Sequence, residues 1–209
     1  MLGEGALTFR EFAMSEPLPL ASIHDAVLEF LQGRKDVVLS GAQAVNASVA
    51  EPRMTQDVDI ASDRGAAFAE ELRQHLADRF RIAVRVQEVR AGLGYRIYPV
   101  RRDGNRHLVD VRPVSRLPAS QLINEIQVVT PDALIAGKLL ASVNRHGKPK
   151  AFTDQRDLAV LLLRFPELKA EHGLVTERLV EAGAGPEALA AWSEMVAREL
   201  VADEEDEPW

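Results

Sequence analysis

The sequence predicts an α+β fold, with strands and helices mixed over residues 1–117 and a helical part over 118–202. Three observations predict it. Short apolar runs alternate with segments of helical period in the first half. Two runs alternate charged and apolar residues, as half-exposed strands do, ahead of a turn signal. After about Pro118 the period becomes helical and stays so, until an acidic tail over 203–209.

Element by element, "LASIHDAVLEFLQGR" places Ile23, Val27, Leu28 and Leu31 at helical spacing, with Gly33 as the stop. "DVVLSG" is a short buried strand ending in a turn. "AQAVNASVAEP" allows a short helix bounded by Pro52. "QDVDIAS" returns to strand character, and "RGAAFAEELRQHLADRF" is an amphipathic helix. "RIAVRVQEV" and "LGYRIYPV" are half-exposed strands. "HLVDVRPV" is expected to pair with the second of them across an Asp103-Gly104 turn. "TPDALIAGKLLASVNR" opens on Thr130 as a cap and Pro131 at the first helical position. "TDQRDLAVLLLRFP" is a helix ended by Pro166. "LVTERLVEAGAG" and "PEALAAWSEMVARELVAD" are two more, separated at a Gly-Ala-Gly-Pro break.

Composition excludes several classes. The 209 residues contain no cysteine, which removes disulfides, thiolate zinc sites and cysteine nucleophiles together. The opening "MLGEGALTFREFAMSEP" lacks a basic start followed by a long apolar stretch, so no signal peptide is expected. "LAVLLL" is far too short to span a membrane. A cytoplasmic protein with no membrane partner is expected. The net charge is −7, yet Arg81 to Lys150 carries 13 basic and 5 acidic residues. That basic middle either faces a polyanion such as a nucleotide or RNA, or solvates the outer face of a sheet. His24, His75, His107, His146 and His172 show no pair at metal-ligand spacing and read as incidental.

The chemistry is concentrated in "RMTQDVDIAS". Residues two apart on a strand share a face, so Asp57 and Asp59 project together while Val58 and Ile60 face the core. Two carboxylates this close repel unless a cation lies between them. Mg²⁺, or Mn²⁺ in its place, is the hard ion that takes carboxylate and phosphate oxygens. The bland alternative is an exposed strand end or a turn cap. Upstream, Ser40-Gly41 ends an apolar strand before a helix start, a place where phosphate can approach backbone N–H groups. Downstream, Asp110 in "HLVDVRP" adds a third carboxylate, which can share a metal or accept a hydroxyl proton. Its alternative is a structural pair with Arg96 or Arg112.

This arrangement resembles the nucleotidyltransferase fold of the polymerase β type, a mixed twisted sheet flanked by helices. "R-x-T-x-D-x-D" (Arg53 to Asp59), "K-x-x-A-x-x-x-R" (Lys138, Ala141, Arg145) and "D-x-x-D-L" (Asp154, Asp157, Leu158) make the chain similar to the AbiEii-type nucleotidyltransferases. Many of those are toxins of bacterial toxin–antitoxin or phage-defence pairs. The likeness runs over roughly residues 35–165. The basic residue that usually precedes the first aspartate of D-x-x-D is Thr153 here, with Lys148 and Lys150 nearby.

The resemblance implies transfer of a nucleoside monophosphate from a nucleoside triphosphate to a hydroxyl, with Mg²⁺ as cofactor. Asp57, Asp59 and Asp110 would hold the metal, and Asp110 could also serve as the base. Lys138 would reach the triphosphate, and Asp157 would orient Lys138 or the substrate. Ser40, Gly41, Lys138, Arg145 and Asp154 would lie on the nucleotide, although Asp154 could be only a helix cap and Lys138 a surface lysine. Arg53 would touch phosphate or acceptor, or else pair with Asp57. An RNA or tRNA 3′ end, a protein side chain and a small hydroxylated molecule all stay open as acceptor. So does a domain that has lost catalysis and only binds a partner. An antitoxin protein is the partner the resemblance adds.

Overall fold

The computed structural model describes residues 20–50, 52–89, 91–100 and 107–202. The Asp103-Gly104 turn, the N-terminal 19 residues and the acidic tail lie outside the described residues. Helix α1 (Leu20–Leu31) leads to β1 (Val37–Ser40), α2 (Gly41–Ser48), β2 (Val58–Ser62) and α3 (Gly65–Phe80). Then come β3 (Val84–Val89), β4 (Gly94–Pro99), β5 (Val109–Pro113), β6 (Ser120–Ile123) and β7 (Ile126–Val129). Helices α4 (Pro131–Asn144), α5 (Pro149–Arg164), α6 (Leu174–Glu181) and α7 (Pro186–Ala197) complete the chain, with a 3₁₀ turn at Pro166–Leu168.

One seven-stranded mixed sheet carries the molecule, in the order β3-β4-β5-β2-β1-β7-β6. β1 and β2 are antiparallel at its centre, flanked by the parallel pairs β2–β5 and β1–β7. β4 lies antiparallel to β5, as the expected hairpin requires. The hydrophobic period explains the layering. Val58, Ile60, Val109, Val111 and Ile97 are all buried in the core that also holds Phe68, Leu72 and Leu76 of α3. The buried stripe of α1 (Ile23, Ala26, Val27, Leu31) joins the same core.

Strands β6 and β7 depart from the sequence expectation, which placed only helix after Pro118. The hairpin turns on Asn124 (φ 47) and Glu125 (φ 65), joining Ile123 to its partner Ile126. Two consecutive residues at positive φ make a tight hairpin turn whose usual signature is Asn-Gly. Here glutamate stands in the glycine position, so the signature is missing. The Gly33 N–H donates to the Glu125 carbonyl at 2.8 Å and ties the end of α1 to this turn.

In the helical part, Thr130 and Pro131 start α4 where expected, although the Thr130 hydroxyl makes no capping bond. Helix α5 begins at Pro149, ahead of the expected "TDQRD" start. Arg178 of α6 donates to Asp132 in the first turn of α4 at 2.7 Å, holding the two helices together. The Trp192 ring of α7 is fully buried and its indole N–H reaches Thr176 at 3.1 Å. Among the described residues no helix is long and apolar enough to cross a membrane.

Candidate active site

A polar row crosses one face of the sheet. Strand register sets Ser40 opposite Asp59, Asp59 opposite Asp110, Asp110 opposite Arg96, and Arg96 opposite Gln87. Residues in register share a face, so two acids from parallel strands β2 and β5 stand side by side at the centre. Asp57 falls one residue before β2, which begins at Val58. It is therefore at the strand's entrance, not inside it.

An open cleft of about 1080 Å³ lies over this row and is walled on the far side by α4 and the start of α5. Ser40, Gly41, Arg53, Asp57, Asp59, Asp110, Lys138, Arg145 and Asp154 all line it. Asp157 does not: it is fully buried behind the wall.

Gly41 opens α2 at φ 65, in the left-handed region. A Cβ added there would fall 2.6 Å from the Asp59 Cγ. The glycine therefore serves two needs, a backbone turn that other residues resist and space for the Asp59 carboxylate. The Ser40 hydroxyl donates to the Asp59 carbonyl at 3.2 Å. Burial pushes the Asp59 carboxyl upward from its ordinary value, and the charges of Asp57 and Asp110 add to that push. Lys150 and Lys138 pull in the opposite direction.

The Arg53–Asp57 loop is held rather than free. Asn46 of α2 clasps the Arg53 backbone, accepting from its N–H at 3.0 Å and donating to its carbonyl at 2.8 Å. The Thr55 hydroxyl donates to the Asp57 carbonyl at 3.2 Å. The Arg53 side chain forks onto Asp157, Nε to Oδ1 at 2.6 Å and Nη2 to Oδ2 at 2.8 Å. So Arg53 pairs with Asp157, not with Asp57 as one sequence reading had it.

Asp157 is the hub of this wall. Lys138 Nζ lies 2.7 Å from its Oδ2 and 3.3 Å from Asp154 Oδ1. Arg145 Nη1 reaches Asp154 Oδ2 at 2.5 Å. A buried carboxylate left unpaired would be costly. Burial raises the Asp157 carboxyl, but hydrogen bonds from Arg53 and Lys138 outweigh it and hold the group below the ordinary aspartate value. The Asp157 hydrogen bond in turn raises the Arg53 guanidinium. Asp157 has no surface with which to touch a substrate, and its contacts within the wall run to Arg53 and Lys138. Asp154 lies past the first turn of α5 and is no helix cap. Lys138 is no snorkelling surface lysine, since only 11% of its side chain is exposed.

One contact at the site escaped the sequence reading, and another was weighed there as an alternative. His107, taken there as incidental, places Nε2 3.1 Å from Asp57 Oδ2. Its signal was position alone: it precedes the strand that carries Asp110, which ends up beside β2. Arg96 Nε lies 3.2 Å from Asp110 Oδ2, the structural pair weighed as an alternative for Asp110. Among the described residues, Lys150 and Arg112 line the cleft with no carboxylate within ion-pair distance.

The donor set suits a hard divalent cation. Three aspartates offer only oxygen ligands, and Asp59 is a half-buried acid disfavoured by two like charges, the condition a cation relieves. The observed side-chain positions are not gathered into a cage: among the described residues no three acids converge on one point. A metal would compete with His107 for Asp57 and with Arg96 for Asp110.

Comparisons with known proteins bear on the fold and the family. No curated protein matches the sequence. Among solved structures, the Megavirus polyadenylate synthase aligns with 70% of this chain at 14% identity and a TM-score of 0.56. This chain spans about a third (32%) of that protein's length. JHP933 from Helicobacter pylori aligns over 92% of both chains at 13% identity and a TM-score of 0.53. At such identities the likeness is one of fold, the polymerase β-type nucleotidyltransferase fold. The family described as "Nucleotidyl transferase AbiEii toxin, Type IV TA system" matches residues 25–207. Nearly the whole chain carries that match, with the acid row and the Arg53–Asp157–Lys138 wall inside it, and the chain belongs to the AbiEii nucleotidyltransferase family.

Proposed function

We propose that the protein transfers a nucleoside monophosphate from a nucleoside triphosphate to the hydroxyl of an RNA 3′ end, tRNA among the candidates, as the toxin of a toxin–antitoxin pair. The observation that carries this reading is the pairing of Asp59 with Asp110 on parallel strands, with Asp57 beside them, under a wall of cations. The triphosphate lies between that row and α4. Lys138, held in place by Asp157, meets its terminal phosphates, with Arg145 and Lys150 flanking it. Gly41 leaves room for Asp59 and presents backbone N–H groups at the start of α2.

The acceptor oxygen attacks the α-phosphorus in line. A new O–P bond forms as the bond to pyrophosphate breaks. Asp110 accepts the hydroxyl proton, which requires its carboxylate to leave Arg96. Lys138 stabilises the charge that builds on the departing pyrophosphate. Mg²⁺, or Mn²⁺, held by Asp57, Asp59 and Asp110, would supply charge neutralisation at the reacting phosphate.

The test is incubation of the protein with Mg²⁺ and each α-³²P-labelled nucleoside triphosphate, together with total RNA and with a protein lysate. Label in the RNA fraction that disappears on chelation and in Asp57→Asn and Asp59→Asn supports the reading. Label confined to protein would replace the acceptor. A folded double mutant that still transfers label would sink the assignment of the acids.

A further inference from the structure

Beyond the acid row, the sheet continues onto an outer face. Strands β3, β4 and β5 bury Val84, Ile97, Val109 and Val111 on one side, with Val86 half-buried beside them, where α3 packs. Their other side bears Arg85 and Gln87 of β3, Arg96 and Tyr98 of β4, and Asp110 and Arg112 of β5. Among the described helices none but α3 packs broadly on these three strands. Among the described residues of these strands the face carries three arginines and one acid, and that acid lines the cleft.

Three groups on it form a contiguous line that ends at the site. The Arg85 guanidinium lies over the Tyr98 ring, 5.2 Å from its centre. Tyr98 and His107 meet edge to face, with ring centres 6.0 Å apart and planes at 70°. His107 then touches Asp57 at 3.1 Å. A guanidinium plane, two rings and a row of positive charge are what an unstacked strand needs: π-faces for bases and cations for phosphates. The excess of arginine over acid on this face matches the charge of a nucleic-acid backbone.

We propose that this strip, Arg85–Tyr98–His107 with Arg112, is the docking site for the acceptor: a single-stranded RNA end. Its last bases stack on Tyr98 and His107, and its phosphates meet Arg85 and Arg112. Its terminal hydroxyl is thereby directed past Asp57 toward Asp110. The inference rests on the nucleotide-transfer reading above and names where the acceptor, rather than the donor, is held. A duplex end cannot use the strip, because its bases are already stacked.

The experiment measures binding of a fluorescent single-stranded RNA oligonucleotide to the full chain by anisotropy. A blunt RNA hairpin of matched length is the comparison. The variants are Tyr98→Ala, Tyr98→Phe and Arg85→Ala, with thermal melting to establish that each is folded. Binding of a labelled nucleoside triphosphate, measured alongside, reads the donor side separately.

Stacking predicts that Tyr98→Ala weakens single-strand binding about tenfold or more, from the strength of base–aromatic stacking. Tyr98→Phe, which keeps the ring, should bind like the native chain, and Arg85→Ala should bind more weakly. KM for the RNA should rise in Tyr98→Ala while KM for the triphosphate stays. Equal affinity of folded Tyr98→Ala and Arg85→Ala for single strands, with transfer to RNA intact, overturns the strip but not the reaction. Equal binding of the blunt hairpin also overturns it. Triphosphate binding without any RNA binding by the native chain removes the RNA acceptor, and the strip with it. Tyr98-dependent labelling of protein in place of RNA does the same.

Discussion

Gly41 and Asp59 fit each other as void and filler: the place a side chain would take at Gly41 is occupied by the Asp59 carboxylate. One residue lies at the first turn of α2 and the other on β2. Their contact means that the turn opening α2 and the acid row form one unit. Gly41→Ala would add a methyl group against that carboxylate and a side chain at φ 65. The expected result is a folded protein destabilised by roughly 1–3 kcal/mol, typical of strain at positive φ. Its transfer rate should fall at least a hundredfold. Thermal melting and label transfer measure the two effects, and a fully active Gly41→Ala would contradict the role assigned to the contact.

Asp157 should matter more to stability than any other charged group in the wall. Asp157→Asn leaves Arg53 and Lys138 short of a buried counter-charge. Removing one partner of a buried ion pair costs roughly 3–5 kcal/mol, and partial exposure of Arg53 puts the expected loss at the low end. The pH dependence has a definite sign. The Asp157 carboxyl is depressed in the folded state. Its contribution is therefore present above the ordinary aspartate value of 3.8 and is lost as pH falls through the lower folded value. The stability difference between native protein and Asp157→Asn, followed by denaturant melts, should hold from pH 7 to about 5 and shrink below about 4.

Arg96 competes with any cation for Asp110. The pair is half-exposed, and such pairs are worth up to about 1 kcal/mol. Arg96→Ala should therefore tighten Mn²⁺ binding by up to about fivefold, the ratio that this energy allows. Titration calorimetry or Mn²⁺ resonance would read it. Unchanged or weaker Mn²⁺ binding in the folded variant would mean that Asp110 is not a ligand.

Far from the cleft, Arg178 holds α6 to the first turn of α4 through Asp132. Its guanidinium is raised well above the ordinary value by the hydrogen bond to Asp132 and then that to Glu181. Arg178→Ala should lower stability by about 2 kcal/mol, the size of a lost charged hydrogen bond to a buried acid. Transfer per folded molecule should be unaffected. A matching fall in specific activity would show that the α4–α6 contact positions Lys138.

Much of the fold was legible because its signals are local. The apolar period of α1 and α3, the alternation in β3 and β4, and Pro131 at the start of α4 all act within a few residues. The β6–β7 hairpin was not, because Glu125 occupies a positive-φ position with no glycine to announce it. The start of α5 was read late, at Thr153 rather than Pro149, since the proline sits inside the first turn it opens.

The acids themselves, Asp57, Asp59 and Asp110, stood out in the sequence by type and spacing. Two-residue spacing led the sequence to expect Asp57 and Asp59 on one side; both do line the cleft, with Asp57 in the loop that enters β2 and Asp59 within the strand. What the chain could not state is who faces them. Asp59 meets Asp110 only because β5 lies parallel to β2 in the sheet. Arg53 turns to Asp157 and not to Asp57 because α5 packs behind the loop, 104 positions away in sequence. His107 joins Asp57, and Tyr98 joins His107, across strands whose order no local pattern encodes. Sequence determines which groups exist and which face of their own element they take, because backbone geometry is local. Tertiary structure decides their partners, because burial leaves each charge only the counter-groups that packing brings within reach.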